Sequence, residues 1–262
     1  MKRFLAATLV GLLALTVGSA GAITNGTVDG NLHPNVGALL YDYDPDSPGV
    51  DLACSGTLIA PRVFLTASHC TAGVETPVFV TFVPDYDDDS TSMAGVFSGT
   101  AHTHPLFGQS GSNPFDFAVV VLDQSPGIAP AQLPSVGLLD SKKALASQRF
   151  TTVGYGTARE DPKRKGPNTF FFDGIRRYAT QSYSSLTKAW LHLSMNPSRG
   201  DGGTCFGDSG GPHFLGGLQS SLIVSVTITG DAVCRSFDKT YRIDTPWARD
   251  FLEQFPGVDY PG

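Results

Sequence analysis

The sequence predicts an all-β protein, built as an antiparallel barrel or sandwich. Its 262 residues include 30 Gly and 18 Pro, and few stretches have the periodicity of a long helix. Turn-forming residues at this density are typical of short strands joined by loops. No repeat and no linker divides the chain. Alternating or β-branched runs, separated by Gly, Pro, Asn and Asp clusters, predict strands at 35–41, 52–60, 78–83, 117–122, 150–153, 189–193 and 221–229.

One α-helix is predicted near the C-terminal end of the chain. Asp244 or Thr245 can cap its N-terminus, and Pro246 follows at a position where a missing N–H costs nothing. An apolar stripe with helical spacing is formed by Trp247, Phe251 and Phe255. We expect this stripe to pack against the β core.

The first 22 residues are expected to be a secretory signal peptide. A positive start, Lys2-Arg3, is followed by an apolar core at 4–17 and a small-residue cleavage site, Ala20-Gly21-Ala22. The apolar core is shorter than the ~20 residues that span a membrane, so we expect no membrane anchor. Cleavage follows Ala22 in the favoured interpretation and Ala20 in its rival. The mature domain, 23–262, is then secreted into an oxidising extracellular compartment.

The charge of the mature chain excludes some partners. Loss of Lys2 and Arg3 lowers the Lys and Arg count from 18 to 16, against 24 Asp and Glu, which gives a net charge of −8. So acidic a chain is a poor binder of nucleic acid or anionic membranes. The acidic run at 85–89 offers oxygen ligands for Ca²⁺, but its spacing fits no EF-hand, and a solvated loop is the preferred interpretation.

The four cysteines, Cys54, Cys70, Cys205 and Cys234, indicate two disulfides in an exported protein. A zinc site is disfavoured because the sequence has no C-x-x-C pair. Three pairings are possible from the sequence alone. The two local pairings, 54 with 70 and 205 with 234, each close a short loop and would stabilise the fold by about 3 kcal/mol.

Three segments carry the residues expected to do chemistry. They are Thr66-Ala67-Ser68-His69-Cys70, Asp116-Phe117-Ala118-Val119 and Gly207-Asp208-Ser209-Gly210-Gly211-Pro212. Each alone has an ordinary explanation: packing for His69, a turn before a strand for Asp116, and a tight turn for the glycines around Ser209. Together, in the order His, Asp, Ser, they predict a nucleophilic serine site.

The chemistry of acyl transfer requires these residue types. A serine hydroxyl is a weak nucleophile near neutral pH, and an imidazole such as that of His69 can take its proton. A buried carboxylate, Asp116, would hold the imidazole in one tautomer. The glycines let the N–H groups of Gly207 and Ser209 point at one spot, where an oxyanion would bind. An α/β-hydrolase also has a G-x-S-x-G motif, but its Asp and His follow the serine, and here only His213 does.

On these motifs the chain resembles the chymotrypsin/trypsin family of serine proteases, over nearly all of the mature length from Ile23 to the closing helix. The resemblance implies two packed six-stranded antiparallel β-barrels with the active site between them, and a C-terminal α-helix. It implies the disulfides Cys54–Cys70 and Cys205–Cys234. It also implies the roles of nucleophile, general base and orienting carboxylate for Ser209, His69 and Asp116.

The family is activated when a new N-terminal Ile or Val buries its ammonium group against the Asp before the nucleophile. Ile23 resembles that terminus, and Asp208 is the matching acid. Because Ile23 directly follows the expected signal cleavage site, we expect signal peptidase itself to create the activating terminus.

Residues of the substrate pocket are also expected from the resemblance. Trypsin has an Asp six residues before the serine, where this chain has Gly203, followed by Thr204, so a tryptic preference is not expected. The substrate-binding strand is expected at Ser225-Val226-Thr227, with Ser225 supporting Asp116 and Thr227 narrowing the pocket. Asp238 or Lys239 lies at the far pocket wall in an unsettled register. An inward Asp238 would attract basic side chains, an inward Lys239 would attract acidic ones, and a solvated surface loop is the third interpretation.

The sequence therefore predicts a secreted, monomeric serine endopeptidase that acts on proteins or peptides and needs no metal or cofactor. A catalytically inactive homologue that serves as a binding module is the rival from another class. An exported esterase or lipase is a third interpretation, which rests on the nucleophile motif alone.

Overall fold

The structure, a computed structural model, describes residues 23–43, 49–74, 77–86, 92–140, 145–160 and 169–261. The expected signal peptide and part of the acidic run at 85–89 lie outside the described residues. The fold consists of two closed antiparallel barrels of six strands each, as the resemblance implies. Among the described residues, no helix is long and apolar enough to cross a membrane.

The first barrel closes in the order β2-β3-β4-β7-β6-β5. Its strands are β2 (Val36–Tyr41), β3 (Asp51–Ala60), β4 (Val63–Thr66), β5 (Val78–Thr81), β6 (Val96–Thr103) and β7 (Ala118–Leu122). Its interior is apolar, because Leu39, Leu58, Phe64, Val80 and Val120 alternate inward along their strands and pack together.

The second barrel closes in the order β8-β11-β12-β15-β14-β13, with β13 pairing back onto β8. Its strands are β8 (Arg149–Gly154), β11 (Arg177–Leu186), β12 (Trp190–Ser194), β13 (Pro212–Leu215), β14 (Ile223–Gly230) and β15 (Phe237–Arg242). Three short strands lie outside the barrels: β1 (Thr27–Val28) extends β11, and β9 (Ala158–Glu160) pairs with β10 (Thr169–Phe171).

Two α-helices complete the described fold: α1 (Ser68–Thr71), directly after β4, and α2 (Pro246–Leu252) near the end of the chain. Thr245 caps α2, with its Oγ1 accepting a hydrogen bond from the N–H of Ala248 at 3.3 Å. Phe251 packs against residues from both barrels, including Phe117 and Tyr241. The predicted helix and its packing against the core are therefore confirmed.

Both disulfides implied by the resemblance are present, Cys54–Cys70 and Cys205–Cys234. The first ties β3 to α1, and the second ties the loop before β13 to the loop after β14. Both cross-links lie next to the cleft between the barrels, so they fix the loops that carry the candidate site.

Candidate active site

His69 and Asp116 meet at one end of the first barrel. The N–H of His69 donates to Asp116 Oδ1 at 2.9 Å, and the ring Nδ1 lies 2.9 Å from Asp116 Oδ2. Ser68 secures this geometry, because its hydroxyl donates to the carbonyl of Phe117 at 2.7 Å and so ties α1 to the strand that follows Asp116. Asp116 is buried, whereas a third of the His69 side chain is exposed.

The hydrogen-bond pattern fixes the tautomer of His69. A carboxylate only accepts hydrogen bonds, so the nitrogen that faces Asp116 must carry the proton. The other ring nitrogen, Nε2, is then left as an acceptor for a proton from outside the pair. A ring nitrogen of His69 lies within 4.8 Å of the sulfurs of Cys54 and Cys70. Because those sulfurs form a disulfide, they offer no thiolate for a metal.

The loop that carries Ser209 packs against the His69 segment. The N–H of Ser55 donates to the carbonyl of Ser209 at 2.9 Å, and Cys70 Sγ lies 3.9 Å from the same oxygen. Gly210 has a φ of 80°, and a Cβ there would lie 2.7 Å from the backbone nitrogen of Ala67. Only glycine permits so close an approach. Within the part of the chain that the structure describes, the Ser209 hydroxyl forms no hydrogen bond to His69.

Two backbone N–H groups of this loop are available to a ligand. Gly207 has a φ of 92°, which favours glycine. The N–H of Asp208 donates to the Cys205 carbonyl at 3.1 Å. By contrast, the N–H groups of Gly207 and Ser209 donate to no acceptor among the described residues. An oxyanion hole requires free donors of this kind.

Asp208 is fully buried beneath this loop. Its carboxylate accepts hydrogen bonds from the N–H groups of Gly156 at 2.9 Å and Cys205 at 2.8 Å. Burial raises the pKa of Asp208 to about 7, against the opposing effect of those two hydrogen bonds. No cationic side chain lies against Asp208 among the described residues, and no ion pair joins it to Ile23.

The N-terminal segment of the described chain lies against the base of the pocket. Ile23 is fully buried, and its φ of 62° is unfavourable for a β-branched residue. The N–H of Thr24 donates to the Gly203 carbonyl at 2.8 Å, and the N–H of Gly203 returns a bond to Thr24 at 3.0 Å. The expected terminus is therefore bound to the segment that leads to Ser209, but its contact with Asp208 stays a prediction.

A cavity of about 300 Å³ opens beside Ser209. Its lining residues are Thr204, Cys205, Phe206, Ser209, Thr227, Ile228, Thr229, Gly230, Asp231, Ala232 and Cys234. The one carboxylate in this lining, Asp231, is already used, because it accepts hydrogen bonds from the N–H groups of Arg235, Ser236 and Phe237. The described lining therefore offers apolar and hydroxyl-bearing surface to a side chain.

The pocket wall lies further along the chain than the sequence predicts. Thr204 and Thr227 line the cavity, whereas Ser225 and Val226 do not. Ser225 is fully buried and accepts a hydrogen bond from Thr240 Oγ1 at 2.8 Å, so its hydroxyl does not support Asp116. The wall is formed by residues 227–230, because β14 pairs with β13 only as far as Val226.

The register of Asp238 and Lys239 is also settled. Asp238 points inward and is fully buried. Lys239 points outward, with its Nζ 3.9 Å from the centre of the Trp190 ring, which is a cation–π contact. Neither Asp238 nor Gly203 lines the cavity itself. A Cβ on Gly203 would lie 2.4 Å from Met195 Cγ and 2.5 Å from Gln181 Nε2, so a larger residue at this position would clash with both side chains.

Sequence reasoning missed the residues that contact the site from the second barrel. The Tyr241 hydroxyl donates a hydrogen bond to Asn113 Oδ1 and accepts one from Trp247 Nε1 at 2.8 Å. Tyr241 also lies near Asp116. Burial raises the pKa of Tyr241, and the charge of Asp116 adds to that rise. Phe206, more than half exposed at the pocket, was also missed. Its position three residues before Ser209 was the only available signal.

The fold and this geometry define the class of chymotrypsin-fold proteases. A family model described as Trypsin matches residues 33–248, and the chain belongs to this family of trypsin-like serine proteases. It is 28% identical over 188 residues to a trypsin of Saccharopolyspora erythraea, covering 70% of this chain and 77% of that protein.

Other relatives carry a different name. Glucanase inhibitor protein 2 of Phytophthora infestans is 28% identical over 187 residues, covering 66% of this chain and 67% of that protein. Glucanase inhibitor protein 2 of Phytophthora sojae is 30% identical over 108 residues, covering 41% of this chain and 36% of that protein. A solved structure of HL collagenase shares the fold, with a TM-score of 0.64, 19% identity and coverage of 92% of this chain and 99% of the other.

Proposed function

We propose that this protein is a serine endopeptidase in which Ser209 is the nucleophile, His69 the general base and Asp116 the orienting carboxylate. The observation that carries the proposal is the doubly hydrogen-bonded Asp116–His69 pair, which leaves Nε2 of His69 as an acceptor. Catalytic hydrogen bonds often form fully only in the complex with substrate, so the absence of a Ser209–His69 bond is compatible with this assignment.

In the first half of the reaction, Ser209 Oγ attacks the carbonyl carbon of the scissile bond while His69 Nε2 takes the hydroxyl proton. The carbonyl oxygen becomes an oxyanion and accepts hydrogen bonds from the N–H groups of Gly207 and Ser209. One such donor accelerates the reaction about 10²–10³-fold. The C–N bond then breaks as the imidazolium returns its proton to the leaving amine, which leaves an acyl-enzyme.

In the second half, water attacks the acyl carbon and His69 Nε2 takes its proton. The proton then passes to Ser209 Oγ as the new carboxylic acid leaves. Asp116 stays ionised throughout and stabilises the imidazolium. Apart from the substrate and one water molecule, the steps use only side chains and backbone groups of this chain.

The peptide substrate would bind along β14. On one edge, Thr227 is the last paired residue, because its N–H donates to Gly211 and its carbonyl accepts from Gly210. Beyond it, residues 228–230 have no partner on that edge among the described strands. An extended peptide can add as a further antiparallel strand at such an edge. We infer a P1 preference for small or medium apolar side chains, because the described cavity lining offers no free carboxylate.

A Ser209→Ala variant tests the proposed activity. The wild-type protein is expected to degrade a denatured protein substrate, and Ser209→Ala is expected to lose about 10⁶-fold in kcat, the magnitude seen when a protease loses its nucleophile. Ser225→Ala, a buried serine away from the cavity, is the matched control and should keep its activity. Equal activity of the wild type and Ser209→Ala would reject the proposal.

We also propose that the chain is secreted as a monomer and that signal peptidase creates the Ile23 terminus. The ammonium group would supply the cation that buried Asp208 lacks. Cleavage after Ala22 would also relieve the unfavourable φ of 62° at Ile23, because an N-terminal residue has no preceding peptide group and therefore no φ angle. N-terminal sequencing of active enzyme should give Ile23, and an active enzyme that begins at any other residue would refute this route.

A binding protein without catalytic activity is the second candidate. It is favoured by the two relatives named as glucanase inhibitor proteins and by the absence of a Ser209–His69 hydrogen bond. Failure of the wild-type protein to cleave any denatured protein, peptide or ester would support this candidate over the protease.

A further inference from the structure

Behind the pocket base lies a cluster of three buried polar side chains, Gln181, His213 and Asp238. All three are fully buried. Asp238 Oδ2 accepts a hydrogen bond from Gln181 Nε2 at 2.9 Å and lies 3.2 Å from His213 Nε2. The other carboxylate oxygen, Oδ1, has no partner among the described residues. One oxygen of a buried acid is therefore doubly bound while the second is free.

This acid lies one residue layer from the cavity. Asp238 pairs across the sheet with Gly230, which lines the cavity. On the other side, Gln181 packs directly against Gly203, where no Cβ intervenes. A side chain that entered the cavity would therefore meet Gly230, whose cross-strand partner is Asp238.

We propose that His213 and Gln181 mask Asp238, and that this masking sets the P1 preference of the site. An unmasked carboxylate at this depth would attract Lys or Arg side chains, as a floor carboxylate does in trypsin. The two donors occupy Oδ2 and offset part of the carboxylate charge. The meaning of this inference for substrates rests on the proposed protease function.

A buried carboxylate that loses one of its donors is strongly destabilised, and any cation that reaches it recovers part of that loss. His213 is the more important donor, because its ring is the one group in the cluster that can carry a positive charge. Removal of His213 should therefore leave Asp238 with a single donor on Oδ2 and turn the carboxylate into a binding site for a cation.

The test is the binding of benzamidine, an aromatic cation, measured by calorimetry in a Ser209→Ala background. Ser209→Ala alone should bind benzamidine weakly. Addition of His213→Leu should tighten binding by about tenfold or more, the worth of one charged hydrogen bond. Further addition of Asp238→Asn should return the affinity to that of Ser209→Ala. Gln181→Leu, in place of His213→Leu, removes the other donor and should change the affinity in the same direction.

The outcomes separate this inference from the proposed activity, because the binding measurement needs no catalysis. Masking would be overturned if the folded His213→Leu and Gln181→Leu variants bound benzamidine no more tightly than Ser209→Ala alone. It would also be overturned if a gain in benzamidine affinity persisted after addition of Asp238→Asn. If the His213→Leu and Gln181→Leu variants both fail to fold, recovery of folding on addition of Asp238→Asn would support masking. Failure to recover folding would contradict it. With Ser209 intact, His213→Leu should also raise kcat/KM for Lys over Ala at P1 by about tenfold.

Discussion

At the scale of single residues, the proposed catalysis depends on the position of one proton on the His69 ring. Asp116 accepts from both the backbone N–H and Nδ1 of His69. An asparagine at 116 would keep its one oxygen on the backbone N–H and would turn its amide NH₂ toward Nδ1. The ring would then carry its proton on Nε2, where the serine proton must go.

Asp116→Asn should therefore lower kcat by about 10⁴, the magnitude known for chymotrypsin-type triads, with KM little changed. Steady-state kinetics on a peptide ester measures both constants. Asp123→Asn is the matched control, because Asp123 is an exposed acid just beyond the end of β7. A loss of less than tenfold at Asp116 would show that the carboxylate does not set the tautomer.

Asp208 gives a pH-dependent prediction. Its folded pKa of about 7 lies above the ordinary value of 3.8 because of burial. Its contribution to stability is therefore fully present below pH ~4 and is lost as pH rises through about 7. In the uncleaved precursor, Asp208→Asn should raise the free energy of unfolding at pH 8 by up to about 4 kcal/mol and change it little at pH 4.

Urea unfolding of the precursor at the two pH values measures this difference, with Ser209→Ala present to prevent self-digestion. In the enzyme that begins at Ile23, the same substitution should instead lower stability at pH 8, because it removes the proposed ammonium partner. A precursor whose stability at pH 8 is unaffected would mean that the buried acid is neutralised by other means.

Among site residues, the sequence identified those that lie in short, glycine-rich motifs. His69, Asp116 and Ser209 stay predictions for catalysis, and the contacts of the first two support their roles. The register of β14 could not be predicted, because Ser225 to Thr229 alternates polar and apolar residues and a shift by two residues leaves that pattern unchanged. The structure resolves it through pairing with β13, a contact that no local pattern encodes.

At the scale of elements, the end helix α2 shows how local signals fix a boundary. Thr245 has extended backbone angles and its side chain accepts from Ala248, so it satisfies one of the free N–H groups of the first turn. The capping threonine, the proline at the next position and the apolar stripe all indicate a helix that begins at Pro246. This agreement explains why the helix was predictable.

Thr245→Ala should lower the free energy of unfolding by about 1 kcal/mol. Thr245→Ser keeps the hydroxyl and should retain most of the stability. Urea unfolding in the Ser209→Ala background provides the comparison. Equal stability of the alanine and serine variants would show that the hydroxyl does not stabilise the helix.

Two of the strands that the sequence analysis did not predict, β6 and β11, share a physical cause. β6 has few buried residues, and β11 places polar side chains such as Gln181 and Thr180 along its length. Neither strand therefore has the apolar alternation that identifies a half-buried strand. Their pairing with β7 and β12 places them in the barrels despite weak local preference.

At the scale of the whole molecule, the two barrels are joined by Arg176, which is fully buried. Its guanidinium donates to Asp29 Oδ2 at 2.9 Å and to the Val36 carbonyl of the first barrel at 2.8 Å. It also donates to Oη of Tyr155, a residue directly after strand β8 of the second barrel, at 3.2 Å. One side chain thus bridges both halves. Barrel closure and this bridge follow from contacts between distant residues, which is why only the family resemblance predicted the architecture.

Arg176→Met should destabilise the fold by about 3–5 kcal/mol, because it leaves Asp29 as a buried charge with His33 alone. The double variant Arg176→Met/Asp29→Asn should recover part of that loss. Unfolding free energies of the four proteins in this cycle, in the Ser209→Ala background, measure the coupling. Strict additivity of the two substitutions would contradict a direct ion pair.

The most direct test of the account is covalent labelling with a fluorophosphonate, followed by mass spectrometry of the digested protein. Activation of the hydroxyl by His69 predicts a single adduct on Ser209 in the native protein, and its loss in His69→Ala and after denaturation. A native protein that stays unlabelled, or that is labelled equally well without His69, would contradict the proposed site.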